Sequence, residues 1–123
     1  ASFAVNALAE TPQEFAVRMQ SFRGVTMTVN QREDGSFGSV SIRIPPKVLS
    51  DRATAGELLA QIGRFAAEGK LKADLLTPSQ EDRDYAVQKL KEAGAGNVSA
   101  KVMAETVSKK DARIFLIPDQ AGK

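Results

Sequence analysis

Polar and apolar residues alternate over residues 25–30 and again over residues 39–44. Successive side chains of a β-strand point to opposite faces, so this alternation indicates two strands that each bury one face. The polar segment between them contains an Asp-Gly pair, which favours the tight turn of a hairpin. Pro45 then ends the second strand, because proline cannot donate a backbone hydrogen bond. We predict a β-hairpin in this part of the chain.

A second alternating stretch follows later in the chain, over residues 98–105 and 112–117. The residues between its two halves, 108–111, are polar and suit a turn. Pro118 closes the stretch in the way that Pro45 closes the first one. The same reasoning therefore predicts a second β-hairpin and four strands in total.

Three other segments place apolar residues at every third or fourth position, which is the spacing of one helix face. The predicted helices cover residues 12–22, 54–68 and 78–93. The first and the third open with the same phrase, Thr11-Pro12 and Thr77-Pro78. Threonine suits the helix cap and proline the first helical position, so each phrase indicates a helix start. We interpret residues 70–76, before the third helix, as a connection.

The predicted order is helix, hairpin, helix, helix, hairpin, and it contains an internal repeat. Each Thr-Pro phrase starts a helix that leads into a hairpin ending in Ile-Pro. Either a duplicated αββ unit or coincidence explains this similarity between the two halves. In both cases the expected fold is α+β, a four-stranded antiparallel sheet with about three helices packed on one face. Two αββ units would give a permuted ferredoxin-like topology. We predict a single domain over residues 1–123, divided into an arm (1–10), a first αββ unit (11–46), a linking helix and connection (47–76), a second αββ unit (77–118) and a tail (119–123).

The composition removes most catalytic chemistry. The 123 residues include no Cys, no His and no Trp, so the chain lacks the commonest general base and the commonest transition-metal ligands. Glu81, Asp82 and Asp84 could hold a hard metal ion or act as an acid–base pair. No second cluster completes such a site, and the better explanation is that they complement the positive end of a helix. We therefore predict no enzymatic activity, no metal, no cofactor and no small-molecule substrate.

Hydropathy and the start of the chain bear on location. No apolar run approaches the roughly 18 residues of a membrane span, so we expect no membrane partner. The Ala-Leu-Ala at residues 7–9 resembles a signal-peptidase site, but no basic region precedes it. We expect a cytoplasmic protein.

Our first functional hypothesis is a protein–protein interaction or assembly module that uses the open face or the edge strands of the sheet. Met103, Phe115 and Ile117 fall on the otherwise polar side of the second predicted hairpin. Apolar residues rimmed by polar ones are typical of an interface, and unprotected edge strands favour self-association. We expect a protein partner or a second copy of the chain.

The alternative hypothesis is that the protein binds nucleic acid, either RNA or single-stranded DNA. Basic side chains with an aromatic on an open sheet can hold phosphates and stack bases. The candidate contacts are Arg43, Lys101, Lys109, Lys110, Arg113 and Phe115. Against this hypothesis, 17 basic and 15 acidic residues give a formal charge of only +2, and one aromatic is a small stacking platform.

Overall fold

A computed structural model describes residues 10–35, 37–104 and 111–118. Within these residues the chain is α+β, with a five-stranded mixed sheet and four helices. The elements in chain order are α1 (Pro12–Met19), β1 (Thr26–Gln31), β2 (Phe37–Ile44), α2 (Pro46–Ser50), α3 (Arg52–Gly69), β3 (Leu71–Thr77), α4 (Gln80–Glu92), β4 (Val98–Val102) and β5 (Ala112–Pro118).

The first Thr-Pro phrase starts a helix, as the sequence predicts. The backbone N–H of Thr11 donates to Glu14 Oε1 at 2.9 Å, and the backbone N–H of Glu14 donates to Thr11 Oγ1 at 3.1 Å. These two bonds form a capping box that satisfies donors the helix itself leaves unpaired.

The second Thr-Pro phrase is not a helix start, so the sequence interpretation of it is wrong. Thr77 is the last residue of β3. Ser79 caps α4 instead, and its Oγ accepts from the backbone N–H of Asp82 at 3.1 Å. Serine is as good a cap as threonine, so the helix begins two residues later than predicted.

The first predicted hairpin is confirmed. β1 and β2 pair antiparallel, with Thr26 opposite Arg43 and Val29 opposite Val40. Gly35 has a φ of 85° in the connecting turn, a conformation that glycine adopts without steric cost.

The second predicted hairpin is wrong, and so is the four-stranded antiparallel sheet. The strand order is β1-β2-β5-β3-β4, so β3 separates β4 from β5. β3 (Leu71–Thr77) takes up most of the segment 70–76, which the sequence pattern predicts to be a connection. It pairs antiparallel with β5 and parallel with β4, since α4 carries the chain back to the same end of the sheet before β4 begins. The second αββ unit (77–118) therefore lacks its hairpin, and neither a duplication nor the permuted ferredoxin-like topology is shown.

The helices all contribute to one core on one face of the sheet. Alternate strand residues such as Ile42, Ile114 and Leu116 are buried against helical residues such as Leu58 and Ile62. The rings of Phe15 and Phe65 stack with centroids 4.2 Å apart, which ties α1 to α3. This face of the sheet is called the inner face below.

α3 and α4 approach closely at Gly63. A Cβ atom built on Gly63 would lie 2.7 Å from the Cβ of Ala93 and 2.8 Å from the carbonyl oxygen of Leu90. This contact explains why glycine is there despite its poor helix propensity.

Arg52 joins the same helices at their other end. Its guanidinium donates to the carbonyl oxygen of Leu49 at 3.1 Å and to Asp82 Oδ1 at 3.0 Å. It also lies 4.3 Å from the centroid of the Tyr85 ring, and the Tyr85 hydroxyl donates to the Arg52 carbonyl oxygen at 2.9 Å. Asp82, one of the three clustered carboxylates, is therefore an ion-pair partner as well as a first-turn acid.

Two findings limit the kinds of site in the described residues. No helix there is long and apolar enough to cross a membrane. In the same ranges, no group of three or more acidic, Cys or His side chains is placed to hold a metal ion.

Candidate functional site

The face of the sheet opposite the helices is the candidate site, and we call it the outer face. None of its described side chains joins the core cluster. The ladders place on it Thr26, Thr28, Asn30, Ser39, Ser41, Arg43, Lys72, Asp74, Leu76, Ser99, Lys101, Arg113, Phe115 and Ile117. This arrangement follows from the alternation along the strands, with apolar residues turned to the helices and mainly polar ones turned away.

Three cations lie in one line across four strands of the outer face. Arg43 is opposite Arg113, Arg113 is opposite Leu76, and Leu76 is opposite Lys101. Neighbouring strands are ~4.8 Å apart, so this line extends over roughly 14 Å. We call Arg43, Arg113 and Lys101 the basic row.

Phe115 lies at the centre of the outer face. It belongs to β5, the middle strand, and its neighbours across the ladders are Ser41 and Asp74. Its side chain is 38% exposed. Arg113 and Ile117 are the adjacent outer-face residues on the same strand. The Cα atom of Arg113, a residue of the basic row, therefore lies ~7 Å from the Cα atom of Phe115.

A groove of about 470 Å³ runs beside Phe115 between β3 and β4. Its lining includes Lys72, Asp74, Leu76, Ser99, Lys101 and Phe115. Lys72 Nζ and Asp74 Oδ1 are 3.8 Å apart, and both side chains are more than one-third exposed. An ion pair of this kind contributes little to stability, so both groups remain able to contact a ligand.

The charge on the outer face is strongly positive compared with the chain as a whole. The described strands place four cations on it, the basic row and Lys72, against one carboxylate, Asp74. Asp111, just before β5, lies with its Oδ2 3.5 Å from Arg43 Nη2. No carboxylate among the described residues lies within 4.0 Å of the cationic nitrogens of Lys101 or Arg113.

The structure brings four of the predicted nucleic-acid contacts together: Arg43, Lys101, Arg113 and Phe115. Two others, Lys109 and Lys110, lie outside the described residues. The outer-face residues that sequence reasoning missed are on β3, the unrecognised strand, and include Lys72 and Asp74. The signal was present, because Leu71, Ala73 and Leu75 alternate with polar or less buried residues.

The three residues predicted to form an apolar interface do not form one patch. Phe115 and Ile117 are adjacent on β5. Met103 directly follows β4, where its backbone N–H donates to the Thr77 carbonyl oxygen at 2.7 Å. The residue of β4 in the row of Phe115 is Ser99, so Met103 lies four residues, or ~13 Å, further along the sheet and two strands away.

Comparison with known proteins adds no further information on the site. A search against protein-family models, curated proteins and solved structures found no match. The function is therefore inferred from the geometry of the outer face. That face presents donors and cations around one exposed aromatic ring, with a single carboxylate in the groove.

Proposed function

We propose that this protein binds single-stranded nucleic acid, RNA or DNA, on the outer face of its sheet. The observation that carries the proposal is the position of Phe115, an exposed aromatic at the centre of a sheet face on which no described helix packs, with the basic row directly beside it. An exposed ring on an open sheet is a platform on which a base can stack, and neighbouring cations can hold the phosphates on either side.

The charge of the outer face favours nucleic acid as the partner. Lys101 and Arg113 have no described carboxylate partner, so a phosphate would not have to displace one. Arginine and lysine contacts to phosphate release counterions, which supplies most of the affinity of nonspecific binding. A polyanion crossing the strands along the basic row would meet three cations in succession.

The open face also favours a single strand over a duplex. The bases of a duplex are stacked on each other, and their edges are reached by an element that enters a groove. In the described residues, the outer face is a sheet surface on which no helix packs. The ring of Phe115 would gain a stacking partner only from a base that is free to leave its neighbours.

A binding assay with a salt series tests the proposal. A fluorescein-labelled mixed-sequence 12-mer is titrated with the protein at several salt concentrations, and anisotropy is recorded. We expect binding that weakens as salt rises, with a log–log slope of about −2 to −3, since each phosphate contact on a single strand contributes roughly −0.7. An annealed duplex of the same sequence should bind more weakly. No binding to the single strand at low salt would refute the proposal.

A second candidate function is self-association through β4, and an independent observation favours it. β4 pairs with β3 alone, so its other edge is unpaired within the described sheet. The edge contains no proline, and Val102 on it is 39% exposed. The opposite edge, β1, carries an irregularity between Asn30 and Gln31, a feature that discourages edge pairing.

Light scattering after gel filtration over a concentration series tests this second candidate. We expect a dimer that Val102→Lys disrupts, because a second lysine beside Lys101 makes the edge strand more highly charged and opposes pairing. Val17→Lys, at an exposed position on α1, is the matched control and should leave the dimer intact. A monomer at every concentration would exclude self-association.

A further inference from the structure

The groove beside Phe115 contains one carboxylate, and its position is unexpected in a surface that binds a polyanion. Asp74 lies directly opposite Phe115 in the β3–β5 ladder, and Ser99 lies opposite Asp74 on β4. The Asp74 side chain is 39% exposed. A carboxylate here repels phosphate, so it weakens binding unless it contacts the base that stacks on Phe115.

The chemistry of the bases decides which one fits. An ionised carboxylate only accepts hydrogen bonds, and its two oxygens can accept two parallel donors. Guanine presents the N1–H and the N2 amino group side by side on its Watson–Crick edge. Adenine and cytosine each present one amino group beside an acceptor, and thymine and uracil present one N–H between two carbonyls. An acceptor facing a carboxylate oxygen is repelled by it.

From these observations we propose that the groove selects guanine from the strand on the outer face. Phe115 stacks on the base, and Asp74 accepts from N1–H and from the N2 amino group. Lys72, whose Nζ is 3.8 Å from Asp74 Oδ1, places a donor beside the carboxylate, as the O6 acceptor of guanine lies beside N1–H. The inference rests on the proposed function, because it assigns the base that the same surface recognises.

The test compares four oligonucleotides at one salt concentration. Each is a labelled run of thymidines with one central guanine, adenine, cytosine or hypoxanthine. We expect the guanine strand to bind roughly fivefold to a hundredfold more tightly than the adenine and cytosine strands, the range found for a bidentate contact. The hypoxanthine strand, which lacks the N2 amino group, should fall between them.

Asp74→Asn separates base recognition from general attraction. The amide has one acceptor and one donor group, so this variant should lose the guanine preference. It should also bind all four strands at least as tightly as the native protein binds adenine, because a negative charge is gone. Asp84→Asn is the matched control, since Asp84 is an exposed carboxylate on α4, and it should keep the preference.

The experiment distinguishes a failure of the guanine inference from a failure of the proposed function. If the native protein binds all four strands equally, or if Asp74→Asn keeps the guanine preference, the inference is overturned while the proposed function stands. If the native protein binds none of the four strands at low salt, both are overturned.

Discussion

Arg43 and Arg113 are directly opposite each other in the ladder between β2 and β5. Two guanidinium groups side by side on a sheet destabilise it, by a few tenths to about 1 kcal/mol relative to a neutral pair. The ion pair between Arg43 and Asp111, at 3.5 Å and exposed to solvent, offsets little of this cost. A pairing that opposes folding is easier to understand if the two charges serve to bind something.

Arg113→Gln should therefore stabilise the fold and weaken binding together. We expect the free energy of unfolding to rise by about 0.5 kcal/mol, because the like-charge contact is removed. The salt slope of oligonucleotide binding should become shallower by about 0.7, the contribution of one phosphate contact. Urea denaturation and the anisotropy assay measure the two effects. Arg64→Gln, at an exposed position on α3, is the control, and an unchanged salt slope in Arg113→Gln would count against the account.

Phe115→Ala should weaken binding without a matching loss of stability. A stacked base is worth about 1–3 kcal/mol in such experiments, so the affinity should fall at least fivefold while the salt slope stays the same. Because the ring is 38% exposed and outside the core, the midpoint of urea denaturation should change little. Val17→Ala removes an even more exposed apolar side chain on α1 and should affect neither quantity. Native affinity in Phe115→Ala would argue against a stacking role.

Gly63→Ala tests the packing of α3 on α4, and two physical effects predict opposite signs. Helix propensity alone would stabilise the variant by about 1 kcal/mol. The new methyl group, however, would lie 2.7 Å from the Ala93 Cβ and 2.8 Å from the Leu90 carbonyl oxygen. We expect this overpacking to dominate and to cost about 1–3 kcal/mol. Adding Ala93→Gly should recover part of the loss, and a Gly63→Ala protein more stable than the native one would show that the helices can move apart.

Arg52→Lys should destabilise the fold although the charge is kept. A lysine cannot donate to the Leu49 carbonyl and to Asp82 from one planar group that also covers the Tyr85 ring. We expect a loss of about 1.5–3 kcal/mol in the free energy of unfolding, the range for hydrogen bonds of a charged group. Arg64→Lys is the control, with an expected change near zero. Equal stability of the two variants would show that the Arg52 contacts are not coupled to folding.

Local patterns predicted the elements whose signals lie in adjacent residues. The capping box at Thr11 and Glu14 and the β1–β2 hairpin need only contacts between neighbours in sequence, and both are present. The second Thr-Pro phrase misled because Thr77 ends a strand and Ser79, two residues later, is an equally good cap. Thr77 and Ser79 both satisfy the residue preference of a helix N-cap, so that preference does not distinguish them.

Pairing between distant strands could not be read from alternation. The segments around Val98 and Ala112 each alternate, and a polar segment separates them, so a hairpin was the simplest inference. β3 inserts between the two strands instead, and nothing in the period of 2 identifies a partner. The alternation of Leu71, Ala73 and Leu75 indicates the fifth strand. It does not indicate where this strand lies in the strand order of the sheet.

The candidate site was predicted in its residues but not in its geometry. The sequence indicates Arg43, Lys101, Arg113 and Phe115 through their chemistry and their places on the polar faces of predicted strands. Only the register shows that Arg43 and Arg113 face each other and that Asp74 lies beside the ring. Met103 was placed with Phe115 through the hairpin that does not form, which explains its different position in the structure.

Nuclear magnetic resonance shows whether a single strand binds to the outer face. Backbone amide signals of the labelled protein are followed while an unlabelled single-stranded oligonucleotide is added at low salt. We predict that the signals that move belong to β2, β3, β4 and β5 around Arg43, Asp74, Lys101, Arg113 and Phe115. Signals from the exposed surfaces of α1, α3 and α4 should not move. Shifts confined to the helices, or none at concentrations where the oligonucleotide is in excess, would contradict the account.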